Sequence, residues 1–255
     1  SERDDGTARQ DATFDGPGRP AAGRSDGHGL VGVPDAGAFL ARLARLDPTA
    51  LVRLRSSGTG LVSLWARLPW SVLVTRTVTG PGPGDATVAA AELLAELDRR
   101  GTRLPVRRDA GWRWPLPSGS GQTIEVIPAS QLRQLAAAAA GALRSATSGG
   151  IKGRAVGQRA LRDALLDHVA VVVTGSSRIA GSDRVEVSQR LIQAVVRMGF
   201  LGPEDRIGTS ELSGGGSVQV RIAGRWVGLA APFGAAWLLK ANQLAIMTAR
   251  HHPNG

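Results

Sequence analysis

The sequence predicts an α+β fold, and three observations lead to that prediction. About 42% of the 255 residues are apolar, which is enough for one large or two small hydrophobic cores. Segments with the period of an amphipathic helix alternate with segments of strand character. Stretches rich in Gly and Pro, such as residues 80–84, separate these segments.

The predicted order of elements begins with a helix and an antiparallel meander of three strands. Asp35 is a favourable N-cap, and Asp47 followed by Pro48 ends the helix. One face of this helix carries apolar residues at helical spacing, namely Phe39, Leu40, Leu43 and Leu46. The runs of strand character that follow are residues 51–55, 61–68 and 71–79.

Two further helices and a strand complete the first predicted module. Asp85 is predicted to cap a helix that ends at Arg100, with Gly101 beyond its last turn. Residues 123–127 alternate as a strand does. Ser130 is then predicted to cap an Ala-rich amphipathic helix.

The segment before residues 123–127 interleaves Trp with Arg, because Arg113 separates Trp112 from Trp114. On an extended segment the two Trp side chains point to one side and Arg113 points to the other. We therefore expect both Trp side chains to anchor a core, with a solvated Arg between them. A base-stacking platform for nucleic acid is the alternative.

The second module is predicted to be mostly helical and to be closed by a β-hairpin, which is the element order of a winged helix-turn-helix. Ser188 is a favourable cap for the second of its helices. Whether residues 169–173 extend the first helix or form a strand is open, because a run of Val favours a strand yet no Gly or Pro interrupts it. The helices are predicted over residues 155–168 and 189–198, and the hairpin over residues 218–229.

This order and the charge together predict a basic, non-enzymatic nucleic-acid-binding or regulatory protein. The formal charge is +10, and all but two of the 31 basic residues are Arg. High-GC coding produces Arg in place of Lys, so the sign of the charge is the informative property, and it favours polyanions or acidic partners. A recognition helix presents polar and basic side chains to the major groove, and a wing adds Arg to the phosphates. The predicted nucleic-acid-binding residues are Arg190, Gln193 and Arg197 on the helix, and Arg221 and Arg225 in the hairpin.

Two other functions remain open. The first is a protein-interaction or scaffold module with an acidic partner. The second is an enzyme acting on a phosphorylated substrate, for which Lys152 and Arg154, just before a helix N-terminus, are the candidate anion-binding residues. No catalytic constellation is found, which argues against an enzyme. Asp167 and His168 are adjacent, and neighbouring helical residues do not face each other.

No cofactor and no metal ion is predicted, and the chain has no Cys to form disulfides or thiolate ligands. No apolar run has the length of a membrane span, and no signal peptide is visible, so we expect a cytoplasmic protein without a membrane partner. The oligomeric state and the identity of the ligand do not follow from the sequence. The predicted division is a disordered tail (1–30), two modules (31–148 and 149–242) and a flexible tail (243–255).

Overall fold

One antiparallel sheet of eight strands runs through both halves of the chain. The structure, a computed structural model, describes residues 26–149, 158–174, 184–203 and 216–240. The strands of this sheet are β1 (Leu51–Ser56), β2 (Leu61–Arg67), β3 (Leu73–Thr79), β4 (Asp85–Ala89), β5 (Gln122–Pro128), β8 (Ser217–Ala223), β9 (Trp226–Ala231) and β10 (Gly234–Leu239). They lie in the order β4-β1-β2-β3-β10-β9-β8-β5, and β6 (Val169–Thr174) pairs with β7 (Arg184–Ser188) in a separate hairpin. The prediction of an α+β fold is confirmed.

The main hydrophobic core lies between one face of this sheet and the helices. The helices are α1 (Val33–Leu46), α2 (Ala90–Asp98), α3 (Ala129–Gly149), α4 (Gln158–Asp167) and α5 (Gln189–Arg197). Alternate strand residues point to this side, including Val52, Leu64, Val74, Val220 and Leu229. Apolar residues of α1, α2, α3 and α5 bury the same face, with Phe39, Leu93, Leu132 and Ile192 among them. We call this side of the sheet the inner face.

The other side of the sheet, the outer face, carries a smaller cluster of large aromatic residues. Leu73, Trp226 and Trp237 are buried there. The segment between α2 and β5 crosses this face, and its residues Trp112 and Leu116 pack on the cluster. The strict alternation of the strands therefore gives the sheet two apolar faces of unequal size.

The two halves of the sheet are built alike and meet where β3 pairs with β10. In each half a helix precedes a three-stranded meander: α1 before β1-β2-β3, and α5 before β8-β9-β10. A strand followed by a helix also pairs with the first strand of each meander. The β4-α2 unit follows its meander in the chain and pairs with β1, whereas the β5-α3 unit precedes its meander and pairs with β8. Arg76 of β3 ties the junction, because it pairs with Asp35 at 2.5 Å and donates to the Phe233 carbonyl at 3.1 Å.

The predicted hairpin exists, but it does not form a wing. A wing is a free hairpin that can reach along a DNA backbone. Here β9 pairs with β10 on its other side, and β8 pairs with β5. The open question about residues 169–173 is resolved as a strand, β6. The segment between α4 and α5 that the structure describes is thus a β-hairpin rather than the middle helix of a helix-turn-helix.

Several local predictions are corrected. Asp85 does not cap a helix: it begins β4, and α2 starts only at Ala90. Asp35 lies in the first turn of α1, whose N-cap is Gly32. Ser188 is the N-cap of α5, but its buried hydroxyl has no hydrogen-bond partner among the described residues.

The predicted N-terminal tail is too long, because residues 26–30 pack on the body. His28 is only 3% exposed. Its Nδ1 accepts a hydrogen bond from the Leu30 amide at 3.0 Å, so Nε2 carries the proton that is donated to the Gly101 carbonyl at 2.9 Å. The remainder of the predicted tail, residues 1–25, lies outside the described residues, as do residues 243–255. The division into two modules, with its boundary at residue 149, stays a prediction.

Candidate binding cleft

A cleft of about 970 Å³ opens among four helices and the corner that joins β2 to β3. Helices α1, α3, α4 and α5 form its walls. Its apolar lining comes from Leu46, Pro69, Trp70, Ala139, Ala140, Leu143, Leu165 and Leu166. Its polar lining comes from Arg45, Arg144, Asp163, Gln189, Arg190, Gln193 and Arg197. The cleft therefore combines an apolar floor with a surplus of guanidinium groups.

Trp70 connects the β2–β3 corner to α5 at the base of this cleft. Its indole Nε1 donates to the Arg190 carbonyl at 3.2 Å, and Arg190 Nη1 donates back to the Trp70 carbonyl at 2.9 Å. The guanidinium of Arg197 lies over the Trp70 ring, 5.5 Å from its centroid. Since β2 and α5 belong to opposite halves of the chain, this reciprocal contact holds the cleft together across the junction.

Two glutamines of α5 fix the opposite wall. Gln189 is 4% exposed, and its amide donates to the Leu135 carbonyl of α3 at 3.3 Å. Gln193 donates to the Ala136 carbonyl at 3.4 Å and accepts from Arg197 Nε at 3.3 Å. Gln193 therefore orients Arg197 and packs α5 on α3 at the same time.

The charges of the cleft are unequally compensated. Asp167 accepts a 2.5 Å hydrogen bond from Arg190 Nε, which lowers the pKa of Asp167 and raises that of Arg190, although burial opposes both shifts. Arg45 and Arg197 are exposed and have no carboxylate in an ion pair within the part of the chain that the structure describes. Asp163 is the acidic residue of the lining. The cleft keeps a net positive charge that an anionic ligand can neutralise.

The structure brings together only part of the predicted nucleic-acid-binding set. Arg190, Gln193 and Arg197 line the cleft on one face of α5, as their helical spacing predicts. Arg221 points to the outer face, since its neighbours Val220 and Ile222 pack into the main core, and it donates to Gln219 and to the Ser120 carbonyl. Arg225 lies at the β8–β9 turn, outside the cleft.

The predicted five residues are therefore divided between the two sides of the sheet. The candidate anion-binding residues Lys152 and Arg154 lie outside the described residues and stay a prediction. Sequence reasoning missed Arg45, Arg144 and Trp70, which come from three different elements. The only signal was a Trp placed in a tight corner after Pro69, and this signal identifies a turn rather than a site.

The outer face carries the Trp and Arg residues of the connecting segment. Trp112 and Trp114 pack edge to face, with ring centroids 5.7 Å apart. Trp112 is half-buried on the aromatic cluster, as expected of an anchor, whereas Trp114 is 36% exposed. Arg53 lies over Trp112 and Arg67 over Trp114, at 5.9 and 4.8 Å from the ring centroids. Arg53 and Arg67 therefore already cover the rings of Trp112 and Trp114.

The free edge of the sheet at β4 is closed by the connecting segment. Asp109 accepts the Thr87 amide at 2.7 Å, and the Arg108 amide donates to the Thr87 carbonyl at 2.7 Å. Arg53 forms two 2.7 Å hydrogen bonds with Asp85, which lower the pKa of that carboxyl. The contacts of Asp109 and Arg108 consume both backbone groups of Thr87, with which another strand could otherwise pair.

The described part of the chain offers neither a metal site nor a membrane-spanning helix. Ranges 26–149, 158–174, 184–203 and 216–240 contain no group of three or more His, Asp or Glu residues placed to hold a metal ion. Over the same ranges no helix has the length and apolar character needed to cross a membrane.

Two family models match adjoining parts of the chain. The model of the domain of unknown function DUF8010 matches residues 32–114, which run from α1 into the connecting segment. The model of the domain of unknown function DUF8185 matches residues 116–243, half of the chain. No curated protein sequence gives a significant match.

Solved structures of DNA polymerase sliding clamps are similar in fold. The DNA polymerase sliding clamp from Pseudomonas aeruginosa with ligand has a TM-score of 0.50 at 14% identity, over 90% of this chain and 68% of the clamp chain. The DNA polymerase III beta chain from Streptococcus pneumoniae has a TM-score of 0.49 at 9% identity, over 88% and 67% of the two chains. The beta subunit from DNA polymerase of Streptococcus pyogenes has a TM-score of 0.49 at 10% identity, over 88% and 65%. At these identities the likeness shows the fold alone. The Pseudomonas clamp, with the TM-score of 0.50, is the structure that supports this likeness.

The prediction of a nucleic-acid-binding or regulatory protein with a winged-helix module is wrong. The likeness to a DNA polymerase sliding clamp covers 90% of the chain, and the supposed wing is an interior part of the eight-stranded sheet. The supposed recognition helix, α5, packs four buried apolar residues into the core below that sheet.

Proposed function

We propose that this chain, which belongs to the DUF8185 family, is a protein-interaction scaffold with an acidic partner protein. The cleft is the observation that most supports this proposal. Its lining consists of guanidinium groups, amides and apolar side chains with a single carboxylate, Asp163, among the described residues. Such groups bind and orient an anionic, partly apolar ligand.

The framework of the cleft suits a scaffold because it is fixed before any partner arrives. Trp70 and Arg190 exchange two hydrogen bonds across the halves of the chain, and Gln189 and Gln193 tie α5 to α3. A preformed site loses little conformational entropy on binding. The likeness of the fold to a DNA polymerase sliding clamp is compatible with a scaffold and argues against a winged-helix regulator.

An acidic protein fits the cleft better than a nucleic acid does. Nucleic-acid surfaces combine many cations with wet, polar contacts to phosphates. Phosphates have no groups that complement the apolar part of this lining, which includes Leu46, Leu143, Leu165 and Leu166. Apolar side chains from a protein would bury it. The absence of Cys from the sequence is compatible with the reducing cytoplasm, where we propose that the protein works.

The proposal is tested by purifying the tagged full chain from the cells that naturally make it, with and without nuclease. We expect one acidic protein to co-purify in constant ratio, to resist nuclease, and to bind again when both proteins are purified separately. A basic protein of similar size and charge, tagged in the same way, is the control for non-specific capture. Recovery of nucleic acid alone, or of no protein that rebinds, would contradict the scaffold function.

A further inference from the structure

The structure also indicates which part of the partner the cleft receives. This inference rests on the proposed function and deepens it: we infer that the cleft binds a short acidic peptide segment that carries apolar side chains. Arg45 and Arg197 bind its carboxylates, and the apolar floor beside Trp70 receives its apolar groups. The size of the cleft, about 970 Å³, lies at the upper end of the range of about 300 to 1,000 Å³ that is usual for ligand clefts.

The first step of the argument is the placement of the uncompensated charges. Arg190 forms an ion pair with Asp167 at 2.5 Å. Its charge is therefore already compensated, and its role is to stabilise the cleft rather than to bind a ligand. Arg45 donates only a long 3.4 Å hydrogen bond to the Ala41 carbonyl of its own helix, as far as the described residues show. Arg197 rests on the Trp70 ring and on Gln193. These two guanidinium groups can therefore donate hydrogen bonds to new carboxylates without breaking an ion pair.

The second step is that Arg197 is already oriented. The Cζ atom of its guanidinium lies over the Trp70 ring, 5.5 Å from the centroid, and Gln193 Oε1 accepts from its Nε at 3.3 Å. The terminal nitrogens remain available as the fork that binds a carboxylate with two parallel hydrogen bonds. Because the side chain is held by two contacts, binding costs it less rotamer entropy than a free Arg would lose.

The third step is that charge and apolar surface occur together. A purely acidic ligand would be bound by exposed charges alone, which contribute little and are screened by salt. Leu143 and Leu166 lie in the same lining as Arg45 and Arg197, so a ligand in which an acidic residue adjoins a Leu or Phe can contact both the charged and the apolar groups. The complementary ligand is therefore a peptide in which acidic and large apolar residues alternate or adjoin.

The inference is tested by selecting binders to the purified full chain from a library of random peptides of about 12 residues, long enough to fill a cleft of this size. We expect the selected peptides to be enriched in Asp and Glu together with Leu, Ile or Phe. Arg197→Glu should weaken the binding of a selected peptide about tenfold, because repulsion replaces attraction. Arg45→Ala should weaken it about two- to fivefold. Arg225→Ala removes the same charge outside the cleft and should leave the affinity unchanged.

The result that overturns the inference is an absence of enriched peptides, enrichment of basic or purely apolar peptides, or equal binding by the Arg197→Glu and wild-type chains. Duplex DNA that competes with the selected peptides at physiological salt would overturn it too, in favour of a phosphate site. If the partner protein of the proposed function still binds to the Arg45→Glu/Arg197→Glu variant, the inference fails while the scaffold function stands.

One other occupant is a segment of the chain itself. Residues 1–25 include five acidic residues, four Arg and Phe14, so this segment is the alternative occupant that the experiment has to exclude. A chain that begins at residue 26 should bind the selected peptides as the full chain does. Binding tightened more than about tenfold by this truncation would identify the N-terminal segment as the occupant and overturn the assignment to a partner.

Discussion

Trp70 is the residue on which the geometry of the cleft most depends. It is a partly buried aromatic that packs on the main core, bonds to α5 through its indole and supports Arg197 with its ring. We expect Trp70→Ala to lower the free energy of unfolding by about 3 kcal/mol, the lower end of the range for large aromatic residues. Urea denaturation followed by far-UV circular dichroism measures this loss.

Trp114 is the matched control for that substitution. Trp114 is 36% exposed and packs on neither the main core nor the outer-face cluster. Trp114→Ala should therefore lower the free energy of unfolding by less than about 1 kcal/mol. Equal losses for the two substitutions would show that Trp70 is no more structural than a surface aromatic. This expectation also revises the sequence-based interpretation, in which both Trp residues of the connecting segment were core anchors.

Gly228 leaves no room for a side chain where it faces Trp237. A Cβ placed there would approach Trp237 Cε3 to 2.5 Å, so Gly228→Ala should destabilise the fold by about 1 to 3 kcal/mol through overpacking. Gly37 of α1 has open space where a Cβ would lie, and Gly37→Ala should stabilise by about 0.5 to 1 kcal/mol through helix propensity. Thermal unfolding of both variants tests the pair, and shifts of the same sign would contradict this packing.

At the scale of elements, the edge of β4 is stabilised by ion pairs that depend on pH. The hydrogen bonds from Arg53 lower the pKa of Asp85. The contribution of Asp85 is therefore complete above its unfolded pKa of about 3.9 and is lost as the pH falls through its lower folded pKa. Because Asp85 is nearly half exposed, solvent screening keeps the effect small.

We expect Asp85→Asn to be less stable than the wild type at pH 7, with a shallower loss of stability between about pH 4 and pH 2. Urea midpoints across this pH range measure both differences. Asp98→Asn, at the exposed end of α2, should follow the wild-type curve. Parallel curves for Asp85→Asn and the wild type would show that this ion pair contributes nothing to acid sensitivity.

At the scale of the whole molecule, the two similar halves form one continuous sheet. Backbone pairing of β3 with β10 joins them, and Arg76, which is 9% exposed, adds its contacts to Asp35 and Phe233. Both halves also contribute to one hydrophobic cluster. Interfaces of this kind couple the unfolding of the elements that share them.

We therefore expect a single unfolding transition, with coincident midpoints by Trp fluorescence and far-UV circular dichroism. Fluorescence reports on both halves, since Trp65 and Trp70 lie in one and Trp226 and Trp237 in the other. Arg76→Ala should lower stability equally by both probes, by about 1 to 3 kcal/mol, because it leaves the partly buried Phe233 carbonyl without its donor. Two separate transitions would instead support independent modules, as the sequence-based division implies.

The local elements of this molecule could be predicted from the sequence alone. Windows of about ten residues show the hydrophobic periods of four elements: α1, the β1–β3 meander, α5 and the β8–β9 hairpin. A window of that size also places Arg190, Gln193 and Arg197 on one face of α5. The period of a helix or strand is a local consequence of burying one side of it. The period can therefore be recognised in the sequence regardless of the tertiary structure around that element.

The positions of those elements depend on contacts between residues far apart in the chain. A hairpin at the edge of a domain and a hairpin inside a sheet have the same alternation, so β8–β9 could not be distinguished from a wing until β10 and β5 were paired beside it. Asp85 was misassigned because its pairing with Arg53 joins residues 32 positions apart. The cleft is the extreme case, since Arg45, Trp70, Arg144 and Arg197 converge from four elements through burial of the whole inner face. The free energy of this burial comes from contacts between residues far apart in the chain, so it leaves no pattern in the sequence of any one segment.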